Sequence, residues 1–209
     1  MDFRCVISCL LVNLKRNSLP HILAAAAFTA TVPLVFSLTS LTAPLAAQPL
    51  EMYLSLIGML LMTPIFLPEQ SEEIRDTVRV RKMPYLAVCG MRLIYLCAFI
   101  MVFCGVVVAL LAAGESAVTV KHFIGALSTA LFLGSIGLFG SAASGNAVIG
   151  YMASMLYFVS NFYLKTRLGV FYLFGMSFET GISKIWLLGG AAVLTAASFA
   201  YLKYIKKID

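Results

Sequence analysis

The sequence predicts an all-α membrane protein, because its composition, the length of its apolar segments and the pattern inside them all indicate helices in a lipid bilayer. Of its 209 residues, 61% are hydrophobic and 11% are charged, whereas a soluble domain carries about 25% charged residues. The apolar residues fall in blocks of about 20, the length at which a helix crosses the hydrocarbon core. A block such as AFIMVFCGVVVALLAA shows no alternation of apolar and polar residues, which excludes a spanning strand. Each backbone amide must then be satisfied within its own helix.

The first element is an amphipathic helix over residues 2–16, within an N-terminal interfacial segment at 1–18. Its apolar residues recur at the three- and four-residue spacing of one helix face. They are Phe3, Val6, Ile7, Leu10, Leu11 and Leu14. Such a segment is too polar to span a bilayer and suits the headgroup plane. It serves either as a simple anchor or as an entry helix that positions the first span.

Six transmembrane helices follow, and together with the interfacial helix they form one domain over residues 1–209. We predict the spans at 20–45, 51–67, 85–113, 119–140, 143–164 and 185–204. Pro33 and Pro44 are expected to kink or end the first span, since proline removes a helical hydrogen bond.

The distribution of basic residues predicts the orientation. Ten Lys and Arg residues fall on the side of the N-terminus, and four fall on the opposite side. The ten are Arg4, Lys15, Arg16, Arg75, Arg79, Arg81, Lys82, Lys203, Lys206 and Lys207; the four are Lys121, Lys165, Arg167 and Lys184. Because basic residues concentrate in cytoplasmic loops, both termini are predicted to be cytoplasmic.

Two further segments lie at turns of this topology. The fourth and fifth spans are joined by LGSIGLFGSAASGNAVIGYMAS, whose small residues indicate tight helix packing or, alternatively, a translocation path or hinge. Residues 165–184 are apolar in the middle but are interrupted by three glycines and bounded by charge. We predict an outer-face interfacial or re-entrant segment there, with its aromatic residues at headgroup depth.

Charge is concentrated in one stretch, PIFLPEQSEEIRDTVRVRKMP, between the second and third spans. Ser71 is a plausible N-cap, acids follow in the first turn, and bases stand near the end, which is the order that a helix dipole favours. A solvated loop that only sets orientation would need bases and no acids. The balanced charges, and a ridge formed by Ile74 and Val78, therefore favour a short cytoplasmic helix at 69–83 that transmits force from a soluble partner.

This arrangement resembles the permease subunits of the type-2 ABC exporter family, in particular small members from Gram-positive bacteria. The resemblance rests on the order of elements, on TPIFLPEQSEEIRDTVRVRKMPYLAVCGMRLIYL after the second span, and on GYMASMLYFVSNFY in the fifth. It implies that the helix at 69–83 is a coupling helix that docks on a separate ATPase. The implied contact residues are Glu69, Gln70, Glu72, Glu73, Arg75 and Asp76. The outer loops are shorter than in larger members.

The resemblance further implies a homodimer, or a heterodimer with a similar permease, in the bacterial cytoplasmic membrane. The apolar spans indicate a hydrophobic or amphipathic substrate such as a peptide, a lipid or a drug. We expect contact with membrane lipid and with ATPase subunits, and none with nucleic acid.

Motifs for catalysis and metal binding are missing from the sequence. There is no G-x-x-x-x-G-K-[ST] phosphate-binding loop, so ATP hydrolysis would reside on another chain. The five cysteines form no C-x-x-C pair and are expected to be reduced, packed thiols. His21 and His122 are expected near opposite membrane faces, each at an interface. We therefore predict no catalytic residue, no metal and no cofactor.

Three charged residues lie in or near the spans, and we expect snorkelling or an interfacial position for each: Glu51, Arg92 and Glu179. Arg92 is expected to pair with Glu69 or Glu73 and so to anchor the coupling helix to the third span. Two alternatives to a transport subunit stay open: a non-transporting membrane scaffold or immunity protein, and an intramembrane processing enzyme, which would need a nucleophile and a base at one depth.

Overall fold

The computed structural model describes residues 13–69, 85–178 and 184–204, and these residues form helices and turns without any strand. Within these ranges, five helical segments are long and apolar enough to cross a membrane. They are α3 together with the first residues of the 3₁₀ helix that follows it (Ala43–Leu67), α4 (Tyr85–Ala113), α5 (Val120–Ser144), α6 (Ala147–Leu164) and α7 (Ile185–Tyr204). The prediction of an all-helical, multi-pass membrane protein is thus confirmed. The interfacial helix and the location of the termini stay predictions, because residues 1–12 and 205–209 lie outside the described part of the chain.

The first predicted span, 20–45, is shorter in the structure than the sequence suggested. Helices α1 (Leu19–Ala30) and α2 (Val32–Val35) form one apolar segment, and the chain is then non-helical up to Thr42. At 1.5 Å per residue, Leu19–Val35 extends about 25 Å, less than the roughly 30 Å hydrocarbon core. A π-helical turn over Leu14–Ser18 runs directly into α1 and lengthens the helical segment at its start. Pro44 does not end this span; it lies in the first turn of α3, where proline is well tolerated.

Helix α3 begins earlier than the predicted 51–67 and changes its geometry along its length. It is α-helical over Ala43–Gln48, becomes a π-helical turn over Pro49–Leu54, and is α-helical again over Ser55–Met62. A 3₁₀ helix over Thr63–Glu69 follows. Pro49 has no N–H to donate, and a widened turn is one way in which a helix accommodates such a break.

The later helices follow their predicted ranges closely. The bounds of α4 and α7 agree with 85–113 and 185–204. The turn between α5 and α6 is set by Gly145, in the left-handed conformation (φ 73°), and by Asn146, whose side chain accepts a hydrogen bond from the Val148 N–H at 2.8 Å. Only these few residues are needed to reverse the chain, so α5 and α6 form a tight helical hairpin.

Helix α5 occupies the middle of the bundle and packs against α3, α6 and α7. One apolar cluster surrounds its contacts with α3 and α4, and a second one surrounds its contacts with α6 and α7. The bundle has two ends that we name by their buried charges. The Arg92 end contains Asn13, Ile65 and Arg92, and the Glu51 end contains Glu51, His122 and Lys184.

The segment after α6 folds back into the bundle. A 3₁₀ helix over Lys165–Phe171 is followed by turns through Phe178. Tyr172, Leu173 and Phe174 are buried in the second apolar cluster, between α5, α6 and α7. These three side chains lie inside the protein, whereas the interfacial alternative expected the aromatic residues of this segment at headgroup depth. The depth of the segment in a membrane stays a prediction.

Candidate functional site

At the Arg92 end, one guanidinium joins three parts of the chain. Arg92 lies in the second turn of α4 with its side chain 5% exposed. Its Nη1 donates to the Ile65 carbonyl at 2.9 Å, while Nε and Nη2 donate to Asn13 Oδ1 at 3.1 and 2.7 Å. The planar fork of donors suits this geometry, because it reaches two acceptors at once without bending the side chain. Arg92 therefore ties the start of α4 to the end of α3 and to the residues before α1.

The Glu69 side chain, Glu73 and most of the predicted ATPase contact lie outside the described part of the chain. Glu69 ends the 3₁₀ helix that follows α3. The positions of Gln70, Glu72, Glu73, Arg75 and Asp76 lie in the undescribed range 70–84. The structure brings together the two helices that flank this range, because Arg92 of α4 donates a hydrogen bond to the Ile65 carbonyl of the 3₁₀ helix.

A small, partly open pocket lies beside Arg92 between α1, α3 and α4. Asn17, Ser18 and His21 line one wall, and Leu61 and Leu96 line others. His21 is therefore at the Arg92 end, far from His122, as the sequence suggested.

At the Glu51 end, a glutamate is buried in the bundle and paired, which corrects the expected snorkelling position. Glu51 lies eight residues from the start of α3, about 12 Å along the helix, and is 0% exposed. Its Oε1 accepts from the Met176 N–H at 3.0 Å, and its Oε2 accepts from the Ser177 N–H at 2.8 Å and from the Ser177 hydroxyl at 2.7 Å. Lys184 forms an ion pair with Oε1 and also donates to the Leu173 carbonyl. A charge buried this deeply requires such partners.

Burial and the ion pair with Glu51 shift the pKa of Lys184 in opposite directions. Burial lowers the pKa of this amine, because the charged form loses its hydration, and the Glu51 carboxylate raises it by attraction. Lys184 is 9% exposed, so its charge depends on the carboxylate beside it. Removing Glu51 would leave burial unopposed and would favour the neutral amine.

The π-helical turn explains how α3 presents this carboxylate. Glu51 lies in the turn over Pro49–Leu54, and such turns are frequent at functional sites. The sequence offered one signal, a glutamate two residues after a proline inside an apolar block, but it did not indicate the partner. Met176 is 125 residues further along the chain.

His122 is also buried, at the start of α5, and its interfacial depth in a membrane stays a prediction. Its Nδ1 accepts from the Thr119 N–H at 3.1 Å and completes a capping box at the start of α5. The other ring nitrogen is 3.1 Å from the Ala43 carbonyl. With Nδ1 acting as an acceptor, the proton belongs on Nε2, which donates to Ala43. The imidazole thus joins the starts of α3 and α5.

In the middle of the bundle, α3, α5 and α6 approach one another at glycines. A Cβ added at Gly134 would lie 2.6 Å from the Gly58 carbonyl oxygen, and one at Gly150 would overlap the Gly137 carbonyl oxygen. This agrees with the tight packing inferred from the small residues. The side-chain oxygens of Ser55, Thr63 and Ser141 are buried there without a hydrogen-bond partner.

Of the described cysteines, Cys89 and Cys104 are buried, and Cys97 is partly buried. Within the described ranges, no three His, Cys, Asp or Glu residues are grouped so that they could hold a metal ion. Compared with known proteins, the chain matches no family model, no curated protein and no solved structure.

Proposed function

We propose that this chain is the membrane-spanning permease subunit of an ATP-driven exporter similar to the type-2 ABC family. It acts in the bacterial cytoplasmic membrane, as a homodimer or with a similar permease, and separate ATPase subunits supply the energy. Its substrate is hydrophobic or amphipathic, in keeping with the apolar surfaces of its helices. ATP binding would move the ATPases together, and the charged segment 69–83 would move with them.

The observation that carries this proposal is the contact between Arg92 and Ile65. The charge-rich range 70–84 is attached on one side to the 3₁₀ helix after α3 and on the other side to α4. Because Arg92 bonds the Ile65 carbonyl at 2.9 Å, a force on the intervening residues acts on both helices together. A loop that only sets orientation has no need of such a connection.

The glycine contacts offer a route by which this force would spread. The backbones of α3 and α5 touch at Gly58 and Gly134, and close-packed interiors transmit displacement because they hold little free volume. A shift of α3 would therefore carry α5 with it. Helix α5 in turn contacts α6 and α7.

The same packing is the observation that favours the scaffold alternative. A non-transporting scaffold or immunity protein would retain these glycine contacts unchanged. The two functions differ in their partner, since only a transport subunit requires an ATPase.

Co-purification tests the proposal. The tagged chain is isolated from its native cells in mild detergent, and the accompanying proteins are identified by mass spectrometry. We expect a subunit with a P-loop, and we expect the double substitution Glu72→Ala and Glu73→Ala to reduce its amount severalfold. Glu115→Ala is the matched control, since Glu115 is exposed in the turn between α4 and α5, at the Glu51 end. An ATPase that is absent from the wild-type preparation, or undiminished by the double substitution, refutes the proposal.

A further inference from the structure

Residues 172–178 are held in the bundle mainly by side chains of other elements. The Asn161 side chain of α6 accepts from the Leu173 N–H at 2.9 Å. Glu51 of α3 accepts from two successive backbone amides, those of Met176 and Ser177. The segment has no continuous helix of its own, so these contacts replace the regular hydrogen bonds that would otherwise fix its backbone.

The Glu51 carboxylate is the centre of this attachment. It receives three hydrogen bonds from Met176 and Ser177 and forms the ion pair with Lys184. Lys184 adds a second connection, because it also donates to the Leu173 carbonyl. The ammonium occupies the position that a bound cation would take, so the cluster is an attachment point and not a cation site.

The chain before the segment contains two residues with positive φ. Gly169 has φ 57°, and a Cβ at this position would meet nothing within 4 Å. Lys165 also has a positive φ of 46°, a conformation that is uncommon for a residue with a side chain. Two such residues, in open space, lie between the end of α6 and the buried residues Tyr172–Phe174.

We propose that Glu51 is a latch that holds residues 172–178 inside the bundle, and that loss of its contacts lets this segment swing out about residues 165–169. Because the three groups of the latch belong to α3, to the segment and to the start of α7, the segment responds to the separation of α3 and α7. A displacement of α7 draws Lys184 away from both Glu51 and Leu173. This inference does not depend on the proposed function.

Hydrogen exchange of the detergent-solubilised protein, followed by mass spectrometry, tests the latch. Glu51→Gln keeps the shape of the side chain but only one of its two acceptor oxygens. The second oxygen is replaced by an NH₂ group, a donor that would face the N–H or hydroxyl donors of Met176 and Ser177. We expect hydrogen exchange in the peptide covering 172–178 to become at least about tenfold faster. The free energy of hydrogen bonds to a charged group is large enough to change the opening equilibrium of the segment by this factor. Exchange in the middle of α5 is expected to stay within about twofold.

Two further variants make the test decisive. Glu115→Gln removes an exposed carboxylate at the same end and is expected to leave exchange unchanged. Ser177→Ala removes the hydroxyl contact alone and is expected to raise exchange in the same peptide by a smaller factor. Unchanged exchange in both latch variants overturns the proposal. An increase of equal size in α5 also overturns it, because the effect would then be general loss of stability.

Discussion

Replacing Gly134 with alanine is expected to destabilise the bundle, although alanine favours helices. The new Cβ would lie 2.6 Å from the Gly58 carbonyl oxygen and 2.9 Å from the Gly58 carbonyl carbon. A carbon–oxygen contact normally requires at least about 3.3 Å, so α3 and α5 would have to separate by roughly 0.7 Å. Backbone cannot rotate away as a side chain can, and overpacking of this kind costs about 1–3 kcal/mol.

Gly189→Ala is the matched control for this substitution. Gly189 is inside α7, and a Cβ there would meet nothing within 4 Å. Only the helix preference of alanine then applies, so we expect a gain of about 0.5–1 kcal/mol. The same chemical change should thus have opposite signs at the two positions.

Unfolding by SDS in mixed micelles, followed by far-ultraviolet circular dichroism, measures both effects on one scale. We expect the midpoint to fall for Gly134→Ala and to rise or stay constant for Gly189→Ala. A Gly134→Ala variant as stable as the wild type would show that α3 and α5 do not touch at this glycine, and a similar loss in both variants would refute the argument from packing.

Three other predictions concern the buried polar groups and the topology. Arg92→Met removes the guanidinium donor of the Ile65 carbonyl, whereas Asn13 Oδ1 loses Arg92 but keeps the Asn17 amide at 3.0 Å. We therefore expect a loss of about 1–3 kcal/mol in the same assay, a smaller loss for Arg92→Lys, and none for the exposed Arg167→Met; equal stability of all three would contradict the role of the guanidinium. His122→Phe removes the cap of α5 and the contact with Ala43 and should lower stability by about 1–3 kcal/mol, a prediction that fails if the midpoint does not move. In a cysteine-free background, Ser71→Cys should react with an impermeant maleimide only after cells are permeabilised, whereas Thr39→Cys, exposed at the Glu51 end, should react in intact cells; the reverse pattern would overturn the orientation.

Hydropathy and helix length were sufficient to predict much of the fold. The bounds of α4 and α7 follow from long apolar blocks, which begin directly after Pro84 and Lys184. The first span was predicted too long, because a proline in an apolar sequence can either end one helix or begin the next, and the residues around Pro44 do not distinguish the two. The structure places it at a beginning.

The polar sites were harder to predict, because they depend on contacts between distant residues. Glu51 and Lys184 each appeared to be a charge near the end of a span, and nothing local indicates that the chain after α6 folds back to bring them together. The anchoring of the segment 69–83 by Arg92 stays a prediction, and the described partners of Arg92, a backbone carbonyl and an asparagine, are uncharged groups that charge matching cannot identify. The packing of the glycines was predictable, since small residues in apolar helices have few other uses.

The most direct test of the transport proposal is a photo-crosslink from the charged segment. A crosslinking amino acid in place of Glu72, in native cells, is expected to capture a P-loop ATPase, while the same group in place of Thr39, at the other end of the bundle, captures none. Capture of the ATPase from position 72 alone would agree with a motor that acts on α3 and α4 through the residues between them. No capture from position 72, or equal capture from position 39, would contradict it.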